Sequence, residues 1–436
     1  MSEILETYKR IEPTTWVYLS SLLSIALYFK FSRFWSIRNL DLIGLIVLAP
    51  GMLLTEAGGW YQHFGFIWLF VAGFLFLIRL LLDPTMVRRP LLEPNLSAGG
   101  LTFLGISLFL FLMANVLTAP LAAEDRAGAE MAQQLQEGEE VVPEVNTLTQ
   151  HGPGYPLLFW LVQFPAQQII ADADQDASVE LQHTTARLVA ILSHFLVVLG
   201  MLLIGYRHFD NFKMGIATAT LYLLLPYTAH LTGRVDHVLP AALLIWAVLV
   251  YRFPLLAGLL IGLAMGVNYY PIFLLPLWIS FYWQRGMVRF VVGVLLMVAS
   301  LVGILALTSA DLAMFEDNVR RMFGVWLPVH DVGGFWNPDY SIYRLPVLAV
   351  FLVLSFSLAI WPAQKNLGTL ISASAAVMLA TQFWVAKEGG LYIGWYLSLL
   401  VLTIFRPNLE DRVAMTVLRE GWFRGRKAVR RVQQEL

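Results

Sequence analysis

Long apolar runs separated by short polar segments dominate the hydrophobic pattern of this chain. A membrane-spanning α-helix needs about 20 predominantly apolar residues, and runs near this length recur between residues 16 and 405. The pattern predicts an all-α polytopic membrane protein with about 13 transmembrane helices. The predicted spans are residues 16–28, 42–55, 66–82, 101–117, 188–206, 214–230, 238–251, 255–269, 272–283, 290–307, 345–361, 370–385 and 391–405.

The composition agrees with a membrane protein and excludes several other classes. The chain is 58% hydrophobic and 14% charged, whereas soluble domains are nearer half apolar and a quarter charged. A net charge of −1 argues against a nucleic-acid partner. The chain has no cysteine, which excludes disulfides, thiolate metal sites and cysteine nucleophiles.

Lysine and arginine are unevenly distributed between the predicted loops, and this asymmetry predicts the orientation. Cytoplasmic loops are enriched in these residues, and roughly 20 of the 29 fall inside when the N-terminus is placed outside. We therefore expect a protein of the cytoplasmic membrane with its C-terminus inside. The basic tail, residues 407–436, is expected either to rest on anionic headgroups or to be solvated.

Two long polar segments, residues 118–187 and 309–344, fall on the predicted outer side. Long loops in compact proteins are usually functional or disordered. The aromatic residues of the second segment argue against disorder. We expect both to be extracytoplasmic loops that carry short helices, and the first to hold the functional site.

Acidic residues next to predicted membrane boundaries are the first candidates for chemistry. Glu124 and Asp125 follow an apolar run directly, where a carboxylate can act as a general base or bind a divalent cation. The alternative is that both acids are simply solvated. Asp236 and His237, with Arg234 beside them, suit a metal or acceptor site, or else the ordinary start of a helix.

Aromatic residues and one cation at the predicted outer face are candidate substrate contacts. Tyr and Trp concentrate at membrane interfaces in any case, so their positions also have a purely structural explanation. Lys387 is a candidate partner for a lipid phosphate. The aromatic candidates are Tyr155, Tyr269, Tyr270, Trp395 and Tyr396.

Several well-known catalytic motifs do not occur in this sequence. It has no Walker-type phosphate loop, Gly-rich dinucleotide fingerprint, HExxH or GxSxG motif. These observations disfavour a nucleotide-driven pump and a zincin-type intramembrane protease.

The order of short motifs from about residue 101 to residue 283 resembles the GT-C superfamily of membrane glycosyltransferases. It is most similar to the polyprenyl-phosphate-sugar-dependent branch related to protein mannosyltransferases and aminoarabinose transferases. A Gly-Trp-Tyr run near the end of the chain is similar to the start of a late helix in many members. The matching residues are Glu124-Asp125, Tyr155-Pro156-Leu157, Ala186-Arg187-Leu188, Asp236, residues 257–264, Asn268-Tyr269-Tyr270-Pro271 and Gly394-Trp395-Tyr396.

The resemblance implies a polyprenyl-phosphate-linked sugar donor and transfer, with inversion, to an unidentified acceptor on the extracytoplasmic face. It implies that Asp125 or Glu124 deprotonates the acceptor, and that Lys387 or Arg234 meets the donor phosphate. Asp236 and His237 would line the same cavity, and the aromatic candidates would contact the substrate. A divalent cation (Mg, Mn or Zn) would be held by Asp125, Asp236 and His237.

The sequence departs from the family pattern in three places. The acidic pair reads Glu-Asp rather than Asp-Glu, and Asn268 stands where a lysine is common. Residues 1–98 form additional N-terminal helices before the catalytic core, residues 99–308. Residues 345–406 form the C-terminal spans.

Two other functions are compatible with the same features. A transporter or flippase for a lipid or amphiphile would share the aromatic belt, but predicts charged residues near the middle of the bilayer. A non-catalytic scaffold of the same fold is also compatible with the reversed acidic pair and with Asn268.

Overall fold

The computed structural model describes residues 12–86, 93–121, 123–137, 151–169, 177–309, 311–322, 335–336, 341–385 and 392–409. These residues form α-helices joined by turns and short 3₁₀ segments, without a β-strand. The helices are α1 Pro13–Tyr28, α2 Ile37–Glu56, α3 Gly59–Leu81, α4 Ala98–Thr118, α5 Ala123–Glu137, α6 Gly154–Ile169, α7 Ala177–Arg207, α8 Phe212–Leu224, α9 Pro226–His230, α10 Val235–Leu249, α11 Pro254–Val267, α12 Leu275–Tyr282, α13 Met287–Thr308, α14 Leu312–Met322, α15 Arg344–Ile360, α16 Leu367–Val385 and α17 Gly394–Phe405.

The predicted all-α class is confirmed for the described residues, and each of the predicted spans coincides with a helical segment. Among the described helices, six are long and apolar enough to cross a membrane, which supports an integral membrane protein. Six further apolar helices are shorter, so the total of about 13 spans stays a prediction. The six long helices are Ile37–Glu56, Gly59–Thr85, Ala98–Thr118, Val179–Arg207, Met287–Thr308 and Leu367–Val385.

Two predicted spans are interrupted rather than continuous. The span 214–230 ends at Leu224 and restarts as the five-residue helix α9 at Pro226, because proline cannot donate the next helical hydrogen bond. The span 272–283 begins as a 3₁₀ turn and becomes α12 only at Leu275.

Polar side chains define the beginnings of several long helices. The side chains of Ser36, Ser97 and Asn211 accept hydrogen bonds from backbone amides in the first turns of α2, α4 and α8. Such caps satisfy amides that have no partner within the helix. The two long polar segments also contain helices, with α5 and α6 in the first and α14 in the second.

The helices differ in how much of their apolar surface is covered by the rest of the protein. Helix α16 is almost entirely buried and α17 completely so, and they form the centre of the bundle. In contrast, α3, α4 and α13 expose many large apolar side chains, such as Phe103 and Leu110 on α4. An exposed apolar surface of this kind is expected where helices face lipid.

A buried charged network joins the additional N-terminal helices to the end of α17. Arg79 on α3 donates to both carboxylate oxygens of Asp41 and to Asp83, at 2.9 Å in each case. Arg406 donates to the other oxygen of Asp83, and Arg38 donates to the carbonyl of Ile404. These bonds hold α2 and α3 against the centre of the bundle.

Candidate active site

Helix α5 carries Asp125 toward the interior of the protein. One face of this polar helix packs on α6, where a Cβ at Gly128 would come within 2.7 Å of the rings of Phe159 and Tyr155. Close packing on that face leaves the Asp125 side chain only 11% exposed, and its Oδ1 lies 3.7 Å from Nε of Arg234. The predicted catalytic base is therefore a largely buried carboxylate that faces a cation.

Arg234 connects Asp125 to Asp236 at the start of α10. Its Nε and Nη2 donate to the two carboxylate oxygens of Asp236 at 3.1 and 3.0 Å. Planar, two-point pairing of this kind is the strong geometry for guanidinium and carboxylate groups. Asp236 lies in the first turn of α10, where the helix dipole also favours a negative charge. One guanidinium thus lies between two carboxylates.

Two histidines and a tyrosine surround the Asp236 carboxylate. Nε2 of His151 lies 3.8 Å, and Nε2 of His237 lies 3.6 Å, from the same oxygen, Oδ2. The hydroxyl of Tyr227 is hydrogen-bonded to Nδ1 of His237. The indole Nε1 of Trp395 donates to the backbone carbonyl of Asp236 at 3.0 Å. All of these side chains are buried, so the network is rigidly positioned.

The short loop before α6 brings His151 into the site by packing on the end of α11. The amide of Gly152 donates to the carbonyl of Val267 at 2.9 Å. A Cβ at Gly152 would lie 2.2 Å from the carbonyl oxygen of Gly266, so the approach requires glycine. The His151 ring stacks on Tyr155 with a centroid distance of 4.3 Å.

Tyr155 stays neutral in this environment. Burial raises the pKa of Tyr155 well above its usual range, the nearby charge of Asp236 adds to the rise, and Arg234 opposes it. A phenol held protonated can donate a hydrogen bond but cannot act as the base. Tyr155 is therefore a candidate for positioning rather than for proton transfer.

Aromatic rings cover the side of the site formed by α17. Tyr392 and Trp395 stack at 4.2 Å between centroids, and Tyr392 also contacts His237 at 4.7 Å. The ring of Tyr270 packs on Trp395 at 4.7 Å. At the start of α17, a Cβ at Gly394 would lie 2.7 Å from the carbonyl oxygen of His237. The last two aromatic candidates flank this group. Tyr269 is partly buried and Tyr396 is fully buried.

A second group of charges lies between α5 and α7. Gln182 donates to Gln133 at 3.0 Å, and Arg187 donates to the carbonyl of Ala119 at 3.5 Å. The first contact joins α7 to α5, and the second joins α7 to the residue that follows α4. In the sequence, Arg126 lies between Ala119 and Gln133.

The same geometry places His183 and Arg187, which share a face of α7, opposite Arg126. Both guanidinium groups act electrostatically on the His183 ring. Nε of Arg126, Nε of Arg187 and Nε2 of His183 are buried, and within the described ranges none of these atoms has a hydrogen-bond partner. We refer to Arg126, His183 and Arg187 as the cationic cluster, in which the two guanidinium groups carry the charge.

The structure brings together most of the predicted site residues. Asp125, Tyr155, Arg234, Asp236, His237, Tyr270 and Trp395 belong to one connected group. The side chain of Glu124 and all of Lys387 lie outside the described residues.

Several members of the site were not predicted. His151, Tyr227, Tyr392 and two members of the cationic cluster, Arg126 and His183, were assigned no role. They lie in different helices and loops, so no local spacing indicated their proximity. A sequence signal existed only for Arg187, through the Ala-Arg-Leu motif.

The arrangement does not suit a metal ion at the predicted position. No group of three or more His, Asp or Glu side chains in the described part of the chain is placed to hold one. The space between the two carboxylates predicted as ligands, Asp125 and Asp236, is taken by the guanidinium of Arg234.

Comparisons with protein-family models, with curated proteins and with solved structures find no match to this chain.

Proposed function

We propose that this chain is an integral membrane glycosyltransferase of the GT-C type. It would transfer a sugar from a polyprenyl-phosphate donor to an acceptor hydroxyl on the extracytoplasmic face. The observation that carries the proposal is Asp125, a largely buried carboxylate on α5, the helix that also carries Arg126 of the cationic cluster. A transferase of this kind needs both a base for the acceptor and cations for the leaving phosphate.

In the proposed reaction, the Asp125 carboxylate accepts the proton of the acceptor hydroxyl. The acceptor oxygen attacks the anomeric carbon as the bond from that carbon to the phosphate oxygen breaks. The electron pair of the broken bond leaves with the polyprenyl phosphate, so a single displacement inverts the anomeric carbon. Asp125 must be ionised to act, and the neighbouring Arg234 favours its ionised form.

The cationic cluster is the best candidate for holding the donor phosphate. The guanidinium of Arg234 is engaged by Asp125 and Asp236. In contrast, buried nitrogens of Arg126, His183 and Arg187 have no hydrogen-bond partner among the described residues. The charge of the two arginines would stabilise the negative charge that develops on the leaving phosphate.

The first test is sugar transfer by the purified protein in nanodiscs, with a panel of polyprenyl-phosphate sugars and candidate acceptors. We expect turnover of at least one donor, and we expect Asp125→Asn to lower kcat by about 10²- to 10⁴-fold, the usual contribution of a general base. Asparagine keeps the size of the side chain but cannot accept the proton.

Asp210→Asn is the matched control, since Asp210 lies in the turn between α7 and α8, away from the site. Its backbone has φ of 50°, a conformation that asparagine also adopts. If Asp125→Asn leaves turnover unchanged, the base is a different residue. If the folded protein moves a lipid across the membrane without cleaving any donor, the transporter would be favoured instead.

A further inference from the structure

An open cavity lies at the turn between α12 and α13. Its volume is about 390 Å³, which is within the usual range of sites that bind small molecules. One wall comes from Pro254 at the start of α11 and the rest from the turn, whose lining residues include Trp283, Arg285, Met287 and Arg289. Two arginines therefore border one space.

The cavity lies at the end of the helices that is opposite to the candidate active site. The hydroxyl of Tyr282 at the end of α12 donates to the carbonyl of Tyr251 at 2.5 Å. Tyr251 follows the end of α10, whereas Asp236 of the site lies in its first turn, and the 15 residues of α10 span about 22 Å. The distribution of lysine and arginine predicts that the end with the cavity faces the cytoplasm.

No carboxylate neutralises these two arginines in the part of the chain that the structure describes. Arg285 and Arg289 are exposed, and neither side chain forms an ion pair or a hydrogen bond with a described residue. Residues 237–310 contain no aspartate or glutamate. Arg289 also lies in the first turn of α13, which has no acidic residue, and the helix dipole is positive there. The potential at the cavity is therefore positive and favours an anion.

Apolar residues beside the arginines indicate that the anion belongs to a lipid. Trp283 and Val288 are each 68% exposed. Trp283 follows α12 directly, and Val288 lies in the first turn of α13, a helix long enough to cross a membrane. Tryptophan concentrates at the level of the headgroups, and basic pockets between membrane helices on the cytoplasmic side bind acidic headgroups. A soluble anion would gain nothing from these two apolar side chains.

We propose that this cavity binds the headgroup of an anionic phospholipid of the inner leaflet. Arg285 and Arg289 would donate hydrogen bonds to the phosphodiester oxygens. The acyl chains would lie in the bilayer beside Trp283 and Val288. Because the cavity is remote from the candidate active site, the proposal does not depend on glycosyl transfer.

The test is photocrosslinking of the full-length protein in nanodiscs with a phosphatidylglycerol that carries a diazirine in one acyl chain, close to the glycerol. The matched lipid is a phosphatidylcholine with the same chains, whose choline makes the headgroup neutral overall. Labelled peptides are identified by mass spectrometry. We expect residues 283–289 to be labelled about tenfold more by phosphatidylglycerol, the effect of one charge-assisted hydrogen bond.

The turn before α2 is the internal control, because it is expected on the same side of the membrane. It holds an exposed arginine, Arg33, close to the exposed Trp35, but the next arginine along the chain, Arg38, is buried and donates to the carbonyl of Ile404. A general attraction of basic surfaces to anionic lipid would enrich the labelling of both turns equally. That outcome would overturn the proposal, whereas enrichment at residues 283–289 alone supports it.

Arg285→Gln and Arg289→Gln provide a second readout. Each should lower the enrichment at residues 283–289 to that of the control turn, whereas Arg33→Gln should leave it unchanged. Both arginines are exposed, so these substitutions should not unfold the protein, and the comparison of the two lipids uses the unmodified chain. Enrichment that persists in both variants would overturn the proposal. Loss of the labelling in excess glycerol phosphate would also overturn it, because a soluble phosphate ester would then be the ligand.

Discussion

At the scale of single residues, the important contrast is between cations that are neutralised and cations that are not. Arg234 forms ion pairs with Asp125 and Asp236. Removing such a bridge would leave two buried carboxylates facing each other, which is strongly destabilising. In the cationic cluster, Nε of Arg126, Nε of Arg187 and Nε2 of His183 have no hydrogen-bond partner within the described ranges. The charge at Arg234 therefore maintains the site, whereas the charge of the cluster is available to a ligand.

This contrast leads to a prediction about Arg187. We expect Arg187→Gln to weaken binding of a polyprenyl phosphate about 10- to 100-fold, the value of a charge-assisted hydrogen bond. Binding of the corresponding polyprenol, which lacks the phosphate, should not change. The measurement is native mass spectrometry of the intact protein with each lipid, so it does not require an assay for transfer.

Arg207→Gln is the control for this prediction. Arg207 is the last residue of α7, about 30 Å along the helix from Arg187, and its substitution should leave both affinities unchanged. Equal losses for the phosphate and the alcohol would mean that Arg187 only maintains the packing of α7.

At the scale of elements, the site depends on a loop that packs directly on a helix end. Residues 151–154 connect to α6 and lie against the backbone of Gly266 and Val267 at the end of α11. This contact positions both His151 and Tyr155. Because backbone meets backbone there, no flexible side chain can move aside to admit additional atoms.

We therefore expect Gly152→Ala to destabilise the protein by about 1–3 kcal/mol, the usual cost of overpacking. The added Cβ would lie 2.2 Å from the carbonyl oxygen of Gly266, so the loop or α11 must shift. The measurement is thermal unfolding in detergent. Gly99→Ala in α4 is the control, because its Cβ meets nothing within 4 Å, and it should be neutral or slightly stabilising. Equal melting temperatures for both variants would contradict this account of the loop.

At the scale of the whole molecule, the distribution of charge makes the orientation a testable prediction. The turn between α2 and α3 is expected outside and the turn after α3 inside, because lysine and arginine concentrate on the inner side. Arg79 and Arg406 lie in the network at the predicted inner end, whereas the candidate active site lies at the opposite end of the same topology.

The chain contains no cysteine, so single cysteines can report the orientation without background. In intact cells, we expect a membrane-impermeant maleimide to label Ala57→Cys but not Thr85→Cys, two exposed positions on either side of α3. Thr85→Cys should react only after the membrane is permeabilised. The reverse pattern would place the candidate active site on the cytoplasmic side and remove the basis for an extracytoplasmic transferase.

The sequence by itself determined the class and position of the helices. Apolar runs indicate helices because lipid offers no partner for backbone polar groups, and every predicted span coincides with a helical segment. The two interruptions, at Pro226 and before Leu275, were missed because the apolar pattern continues across them. For the site, Asp125, Arg234, Asp236 and His237 were identified because polar residues at the ends of apolar runs are conspicuous.

Only the tertiary structure decided which of these residues act together. His151 joins Asp236 across more than eighty positions of the chain through the packing of a glycine loop on α11, and no spacing in the sequence encodes such a contact. The same applies to the packing of α5 on α7, which assembles the cationic cluster. Local patterns define helices. A site is defined by the packing of distant helices, because its side chains are close in the fold although they are far apart in the sequence.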